Sequence, residues 1–218
     1  AEEGIAFLRA QDDVELDVRT GLSETALAEA VRDYDGLIVR SGAKVSAGVL
    51  HAADRLKVVA RAGVGVDNID VKAATRRGIV VMNTPGGNAV SAAEHSFSML
   101  AALARNIPQA SASVKSGKWE RSRYTGVEIA GKTLGIFGLG KVGREVAHRG
   151  TAFGMRVVGQ DPYVTQEAAL SFGAKLLSLE EILAEADFIS LHLPLTEQTR
   201  HFMSDEQFKR CKKGVRIV

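Results

Sequence analysis

Along the chain, short runs of consecutive apolar residues alternate with stretches whose apolar residues recur every three or four positions. The runs are Gly36–Arg40, Leu56–Ala62, Ile79–Met82, Thr133–Phe137, Arg156–Gln160, Asp187–Leu193 and Val215–Val218. Most are rich in the β-branched residues that fit a pleated surface. Helical spacing marks Glu24–Asp33, Val71–Arg77, Val90–Ala104, Val142–Phe153, Leu179–Ala186 and Asp205–Cys211. Ser23 and Ser204 stand where N-caps belong, since a hydroxyl oxygen can accept from the unpaired amides of a first turn. Strands alternating with helices predict an α/β fold built on parallel sheets. The near-continuous apolar character of the strands predicts helices on both sheet faces.

Two polar stretches interrupt this rhythm. Asn83-Thr84-Pro85-Gly86-Gly87-Asn88 gathers residues that end regular structure, and it divides the chain into residues 1–84 and 85–218. Lys115 to Glu128 carries the only tryptophan, Trp119. Both ends look abrupt. A helix-like pattern, Glu3–Gln11, opens the first part without a strand to feed it, and Val215–Val218 has no helix after it. A sheet strand needs cover, so a longer parent protein is expected, with the second domain incomplete at its C-terminal end.

Composition narrows the class only a little. The chain has 218 residues, 45% apolar and 25% charged, with net charge +2. That profile excludes collagen-like, disulfide-framework and strongly disordered proteins, and near charge balance argues against a nucleic-acid surface. No run of about 18 apolar residues suggests a membrane span. The single cysteine, Cys211, suits a reducing compartment, which favours the cytoplasm, or a plastid had a leader been removed. No His, Cys, Asp or Glu cluster has metal-ligand spacing.

The strongest local chemistry is Gly138-Leu139-Gly140-Lys141-Val142-Gly143, which follows an apolar strand and opens a helix. With 22 glycines in the chain the bare spacing is weak, but strand, turn and helix together match a dinucleotide fingerprint. Gly138 makes the tight turn, Gly140 lets the backbone approach a pyrophosphate, and Gly143 lets helix and strand pack closely. The ligand's charge then meets the helix N-terminus. Asp161 ends the next strand, 18 residues beyond Gly143, where a carboxylate can accept from the ribose hydroxyls. A 2′-phosphate would be repelled there, so the cofactor expected is NAD rather than NADP.

Beyond the turn, further segments carry a family resemblance. They include Val39-Arg40-Ser41, the run from Ala60 to Asn68 (Ala-Arg-Ala-Gly-Val-Gly-Val-Asp-Asn), Val81-Met82-Asn83-Thr84-Pro85 and Ser91-Ala92-Ala93-Glu94-His95. Gly117-Lys118-Trp119-Glu120-Arg121 and the run from Lys213 to Val218 (Lys-Gly-Val-Arg-Ile-Val) extend it. Across essentially its whole length the chain resembles the D-isomer-specific 2-hydroxyacid dehydrogenases. The resemblance implies two Rossmann-like parallel-sheet domains, a substrate-binding lid at 1–84 and an NAD-binding domain at 85–218, with a hinge near Thr84 that lets the lid close. It implies 3-phosphoglycerate as the small-molecule substrate, with glyoxylate or hydroxypyruvate as the sister alternative. A non-catalytic NAD(H)-sensing protein is the alternative from another class. By position, Arg40, Ser41, Gly63, Val64, Gly65 and Asn88 become substrate contacts, and Val64, Lys141, Val142, Asp161 and Leu193 join the turn glycines around NAD. Val64 and Leu193 stand where relatives often carry threonine, and so does Ala43. Arg121 resembles a basic residue that reaches a neighbouring subunit's substrate. A homodimer or homotetramer is implied, built on Val90–Ala104 and the Trp119 segment. On its own, Arg40 also reads as a solvated strand end, and Asn88 as a turn residue.

Hydride transfer from an alcohol needs a base for the hydroxyl proton and a cation to orient the substrate. In the family these are a Glu-paired His and an Arg, expected beyond Val218, so no catalytic residue is assigned here and these 218 residues alone are expected to be inactive. Of the five histidines, His95 lies in an apolar helix and reads as packed or interfacial. His192 reads as structural or cofactor-adjacent. Basic neighbours of Cys211 suggest a slightly favoured thiolate, with no acyl-transfer machinery around it.

Overall fold

In the computed structural model, which describes residues 2–218, the first three apolar runs become β1 (Gly36–Val39), β2 (Val58–Arg61) and β3 (Val80–Asn83). They form a parallel sheet in that order, with Arg61 in register with Val39 on one side and Asn83 on the other. This sheet belongs to a first compact unit that ends at Gly87; a second runs from Asn88 to Val218. The first unit's helices are α1 (Glu2–Arg9), α2 (Glu24–Ala30), α3 (Ala47–Ala52) and α4 (Val71–Arg76). Ser23, Ser46 and Asp70 cap the last three by accepting from Ala26, Val49 and Ala73 amides, which removes orphan donors from each first turn. Val31, Val45, Val49, Leu50, Val59 and Ala74 are fully buried between these helices and the sheet. Each such aliphatic side chain contributes about 1.5–3 kcal/mol, alanine less. The guanidinium of Arg77 closes the far end of α3 by donating to the carbonyls of Leu50, His51 and Ala53.

The second unit holds β4 (Thr133–Phe137), β5 (Arg156–Gln160), β6 (Ala174–Leu176), β7 (Phe188–Leu191) and β8 (Arg216–Ile217), all parallel, in the order β6-β5-β4-β7-β8. Its helices are α5 (Ala89–Arg105), α6 (Ile107–Lys115), α7 (Lys141–Ala152), α8 (Gln166–Ser171), α9 (Leu179–Glu185) and α10 (Asp205–Arg210). All five residues of β4 are buried. Side chains alternate between the faces of a strand: Leu134 and Ile136 join Phe97, Leu100, Val146 and Ala147 on one side. Phe137 joins Val158, Ile182, Leu183 and Ile189 on the other. The chain winds from β4 outward through β5 and β6, then reverses to β7 and β8. Strand β4 is therefore the switch point, and its carboxyl end is where ligands gather in such sheets.

Four elements were not legible in the pattern: α3, α6, α8 and β6. Each is short, and α6 buries only Ser113, so it has almost no apolar stripe to read. Asn106, in the left-handed region at φ 52°, ends α5 and begins α6. Asparagine tolerates that conformation better than most residues. The two units meet in sequence at Gly87/Asn88, within the turn-rich segment and three residues past the division expected after Thr84.

Candidate functional site

The glycine turn sits at the carboxyl end of β4, and its three glycines do three different things. Gly138 has φ +89°, and a Cβ there would lie 2.5 Å from the carbonyl oxygen of His192, so both backbone and space exclude a side chain. Gly143, buried in the first turn of α7, leaves even less room: its Cβ would lie 1.9 Å from the Gly138 carbonyl oxygen. Those two glycines serve the protein's own packing. Gly140 is exposed, and nothing lies within 4 Å of the position its Cβ would take. Its bareness relieves no internal clash, so the open space at the N-terminus of α7 fits a ligand's pyrophosphate brought against the backbone.

Around this turn several main-chain groups are braced. Phe137 O accepts from His192 N at 2.8 Å, and Gly138 N donates to Gln160 O at 3.0 Å. Leu139 is fully buried; its amide donates to Asp161 Oδ2 at 2.8 Å, and its carbonyl accepts from Arg144 Nε at 2.9 Å. Asp161 Oδ1 accepts from Tyr163 N at 2.9 Å. A carboxylate offers about four lone-pair directions, so Asp161 retains acceptor capacity for a diol after bracing the turn. Arg144 stacks over Phe172, 5.2 Å from the ring centroid. Neither Arg144 nor Tyr163 was singled out from the sequence. The signal for Arg144 was its place directly after the third glycine, on the turn-facing end of the helix.

His192, at the carboxyl edge just past β7, bonds through Nε2 to the hydroxyl of Ser190 at 2.8 Å. Burial pushes its pKa below the ordinary 6.5, because the charged form loses more on leaving water. Leu193 follows it, half-buried.

In the first unit, Arg40 and Ser41 lie just past β1, exposed. The backbone of Arg40 is held, its carbonyl accepting from Asn68 Nδ2 at 3.1 Å and Ala43 N at 3.2 Å, which leaves the guanidinium in solvent on a fixed stem. Asn68 also donates to Ala43 O at 2.6 Å. Gly63, Val64 and Gly65 form the loop after β2. Gly63 O accepts from Thr84 N at 2.9 Å, Val64 O from Asn83 Nδ2 at 2.6 Å, and Gly65 O from the Arg61 guanidinium.

Asn88 is exposed at the start of α5 and makes no side-chain cap bond. Arg121 is exposed in a single 3-10 turn, Arg121–Tyr124. Lys141 is exposed and Val142 half-buried in the first turn of α7. His95 lies on the exposed side of α5, so it is not packed within its own unit. Among the described residues no histidine bonds a carboxylate; His51 bonds Ala47 O and His192 bonds the Ser190 hydroxyl. Burial raises the Cys211 thiol, which corrects the expectation of a favoured thiolate: desolvation outweighs its basic neighbours. Among the described residues no cluster of three His, Cys, Asp or Glu could hold a metal, and no helix is long and apolar enough to cross a membrane. Two open depressions lie elsewhere in the second unit. One of about 660 Å³ is lined by residues between His201 and Lys209, and one of about 390 Å³ by residues between Gln109 and Tyr124. Neither includes a residue of the glycine turn.

Comparison with known proteins agrees with this geometry. The family model described as "D-isomer specific 2-hydroxyacid dehydrogenase, NAD binding domain" matches residues 97–218. The chain is similar to D-3-phosphoglycerate dehydrogenase of Rattus norvegicus, 55% identical over 92% of this chain and 38% of that protein. It is likewise similar to D-3-phosphoglycerate dehydrogenase 2, chloroplastic, of Arabidopsis thaliana, 50% identical over 100% of this chain and 35% of that protein. Among solved structures, D-lactate dehydrogenase from Aquifex aeolicus complexed with NAD and lactic acid superposes with a TM-score of 0.87. It is 30% identical, over 99% of this chain and 65% of that one. The chain thus spans well under half the length of the curated relatives it matches.

Proposed function

The chain belongs to the D-isomer specific 2-hydroxyacid dehydrogenases, and on that footing we propose that it is the binding portion of an enzyme oxidising the 2-hydroxyl of 3-phosphoglycerate to 3-phosphohydroxypyruvate. The observation that carries the cofactor half is the open position at Gly140, next to Leu139, whose amide donates to Asp161 Oδ2 at 2.8 Å. The substrate half rests on the identity to phosphoglycerate dehydrogenases along nearly the whole chain.

When bound, NAD supplies the hydride acceptor. The turn Gly138–Gly143 and the backbone of Lys141 and Val142 receive its pyrophosphate against the α7 N-terminus, whose helix dipole favours negative charge. Asp161 accepts from the ribose hydroxyls with the lone pairs that Leu139 and Tyr163 leave, and Leu193 lines the adenine side. Val64 serves the nicotinamide end. In the first unit Arg40 and Ser41 grip the substrate's phosphate, because a guanidinium binds an oxyanion bidentately. The amides of the Gly63–Gly65 loop take the carboxylate, with Asn88 a further polar contact and Arg121 reaching a partner's substrate. Removing the hydroxyl proton needs a base oriented by a second group. We assign that role to residues outside this chain, since among the described residues no histidine meets a carboxylate.

α5 supports a homodimer. Its buried stripe is Ala89, Ala93, Phe97, Leu100 and Ala104. Val90, Met99 and Leu103 are exposed large apolar residues of the same helix, as are Val114 of α6 and Trp119 beyond it. Apolar and aromatic residues free of charge are the composition of an interface core.

The test is an NAD-reduction assay on the full-length enzyme with Arg40→Ala. Losing a charge-assisted contact costs about 1.5–3 kcal/mol, so KM for 3-phosphoglycerate should rise roughly 10- to 150-fold. An unphosphorylated 2-hydroxy acid should hardly change. Equal losses on both substrates would favour a sister enzyme that acts on an unphosphorylated acid.

A further inference from the structure

Strand β2 ends at Arg61, in the middle of its sheet, and its side chain turns back under the loop that follows. The guanidinium donates through Nη1 to Gly65 O. It lies so close that a Cβ on Gly65 would stand 3.1 Å from Nη1. Arg61 Nε is buried with no partner. An arginine placed for stability alone would more often be paired through its fork or left in water, because an unmet buried donor is costly.

What this arginine completes is visible in the peptide units of the loop. A trans peptide holds C=O of one residue opposite N–H of the next, and the first unit contains no cis bond. Thr84 N takes the oxygen of the Gly63–Val64 unit, Asn83 Nδ2 that of Val64–Gly65, and Arg61 that of Gly65–Val66. The three opposite amides, of Val64, Gly65 and Val66, donate to no acceptor among the described residues. Three successive oxygens are thus tied to the ends of β2 and β3, and three successive N–H groups are left unspent. A donor on the oxygen of a peptide also polarises its N–H, which strengthens that N–H as a donor in turn. Donors that are preorganised need no rearrangement when an anion arrives.

We propose that Arg61 is a positioning residue, which holds and polarises the Gly65–Val66 peptide so that the loop's free amides bind the carboxylate of the 2-hydroxy acid. Asn83 performs the same task on the neighbouring peptide. This inference rests on the dehydrogenase reading above and deepens its substrate half. Arg61 acts through the loop and not by touching the substrate's phosphate, which separates its role from that of Arg40.

The experiment compares wild-type full-length enzyme with Arg61→Ala, Arg61→Lys and Asn83→Ala, each assayed with 3-phosphoglycerate and with an unphosphorylated 2-hydroxy acid, and each checked for folding by thermal melt. A lost hydrogen bond to a polarised carbonyl predicts a KM increase of roughly tenfold for both acids alike, with kcat and the KM for NAD within about twofold. Arg61→Lys keeps a cationic donor and should recover part of the loss. Asn83→Ala should show the same split more weakly, and it keeps the idea testable if Arg61→Ala melts early. Folded variants with wild-type KM overturn the inference, and so does a loss confined to the phosphorylated acid, which would make Arg61 a direct phosphate contact. If the wild-type enzyme oxidises neither acid, the dehydrogenase reading falls and takes this inference with it.

Discussion

Alanine in place of Gly143 or of Gly140 is the same chemical change three residues apart, and the two should fail in opposite ways. At Gly143 the new Cβ would stand 1.9 Å from Gly138 O. Contacts under 3.0 Å are essentially never seen, so the α7 N-terminus must retreat from β4 by at least about 1.1 Å, or the turn must open by as much. Either motion disturbs the packing of α7 on β4, where Val146 and Ala147 are fully buried. Overpacking of this kind costs about 1–3 kcal/mol and sometimes more. Replacing glycine within a helix returns at most about 1 kcal/mol. The clash wins, and a loss of about 2 kcal/mol lowers Tm by roughly 4–8 °C for a chain of this size.

Gly140 offers the contrast. Its φ of −68° and ψ of −161° are open to any residue, and nothing lies within 4 Å. Gly140→Ala should therefore melt within about 0.5 kcal/mol of wild type, as surface changes do. Its NAD affinity should fall at least roughly tenfold, because a methyl group then fills space assigned to the pyrophosphate. Differential scanning calorimetry and NAD titration, run on both variants, read the two effects separately. Wild-type NAD affinity in Gly140→Ala would refute the assignment of the turn. A wild-type melt in Gly143→Ala would refute the packing argument.

Other residues give independent checks. Asp161→Ser should relax discrimination against NADP, measured as the ratio of NAD to NADP affinities. It should also cost about 1–3 kcal/mol in urea denaturation, because Leu139 and Tyr163 lose a charged acceptor. His192 is held below its ordinary 6.5 by burial, so the unfolded chain takes up its proton first as pH falls. The stability from burying the neutral ring is full above about pH 6.5 and is lost as pH drops through the lower folded value. His192→Gln should flatten that part of the urea midpoint's decline between pH 7.5 and 5.5. An unchanged slope would show that the ring is not buried as described. Trp119→Asp should shift the full-length protein toward smaller species in light scattering if the Trp119 segment is part of an interface. An unchanged mass would remove that segment from the contact.

Much of the architecture can be read along the chain because burial leaves a local record. The strands at 133–137 and 156–160 are apolar for the reason that helices cover them, whereas strand 36–39 is apolar with Ile38 exposed. The spacing of Gly138, Gly140 and Gly143 with Asp161 follows from one strand, one turn and one helix in succession. Short elements such as α6 and β6 leave no such record. Their few residues bury too little to impose a period.

The sequence by itself determined the α/β alternation, the break expected near Thr84 and the presence of a glycine turn with an acid beyond the next strand. Tertiary structure alone decided what each of those residues does. It separated Gly143, closed off by Gly138 O, from Gly140, which faces open space. It showed Asp161 spending part of its carboxylate on Leu139, 22 positions earlier, and Arg61 and Asn83 joining from neighbouring strands to hold one loop. Periodicity encodes which face of an element meets the core, a property of neighbours in sequence. A hydrogen bond between strand ends depends on how elements are brought together, and no local pattern carries that.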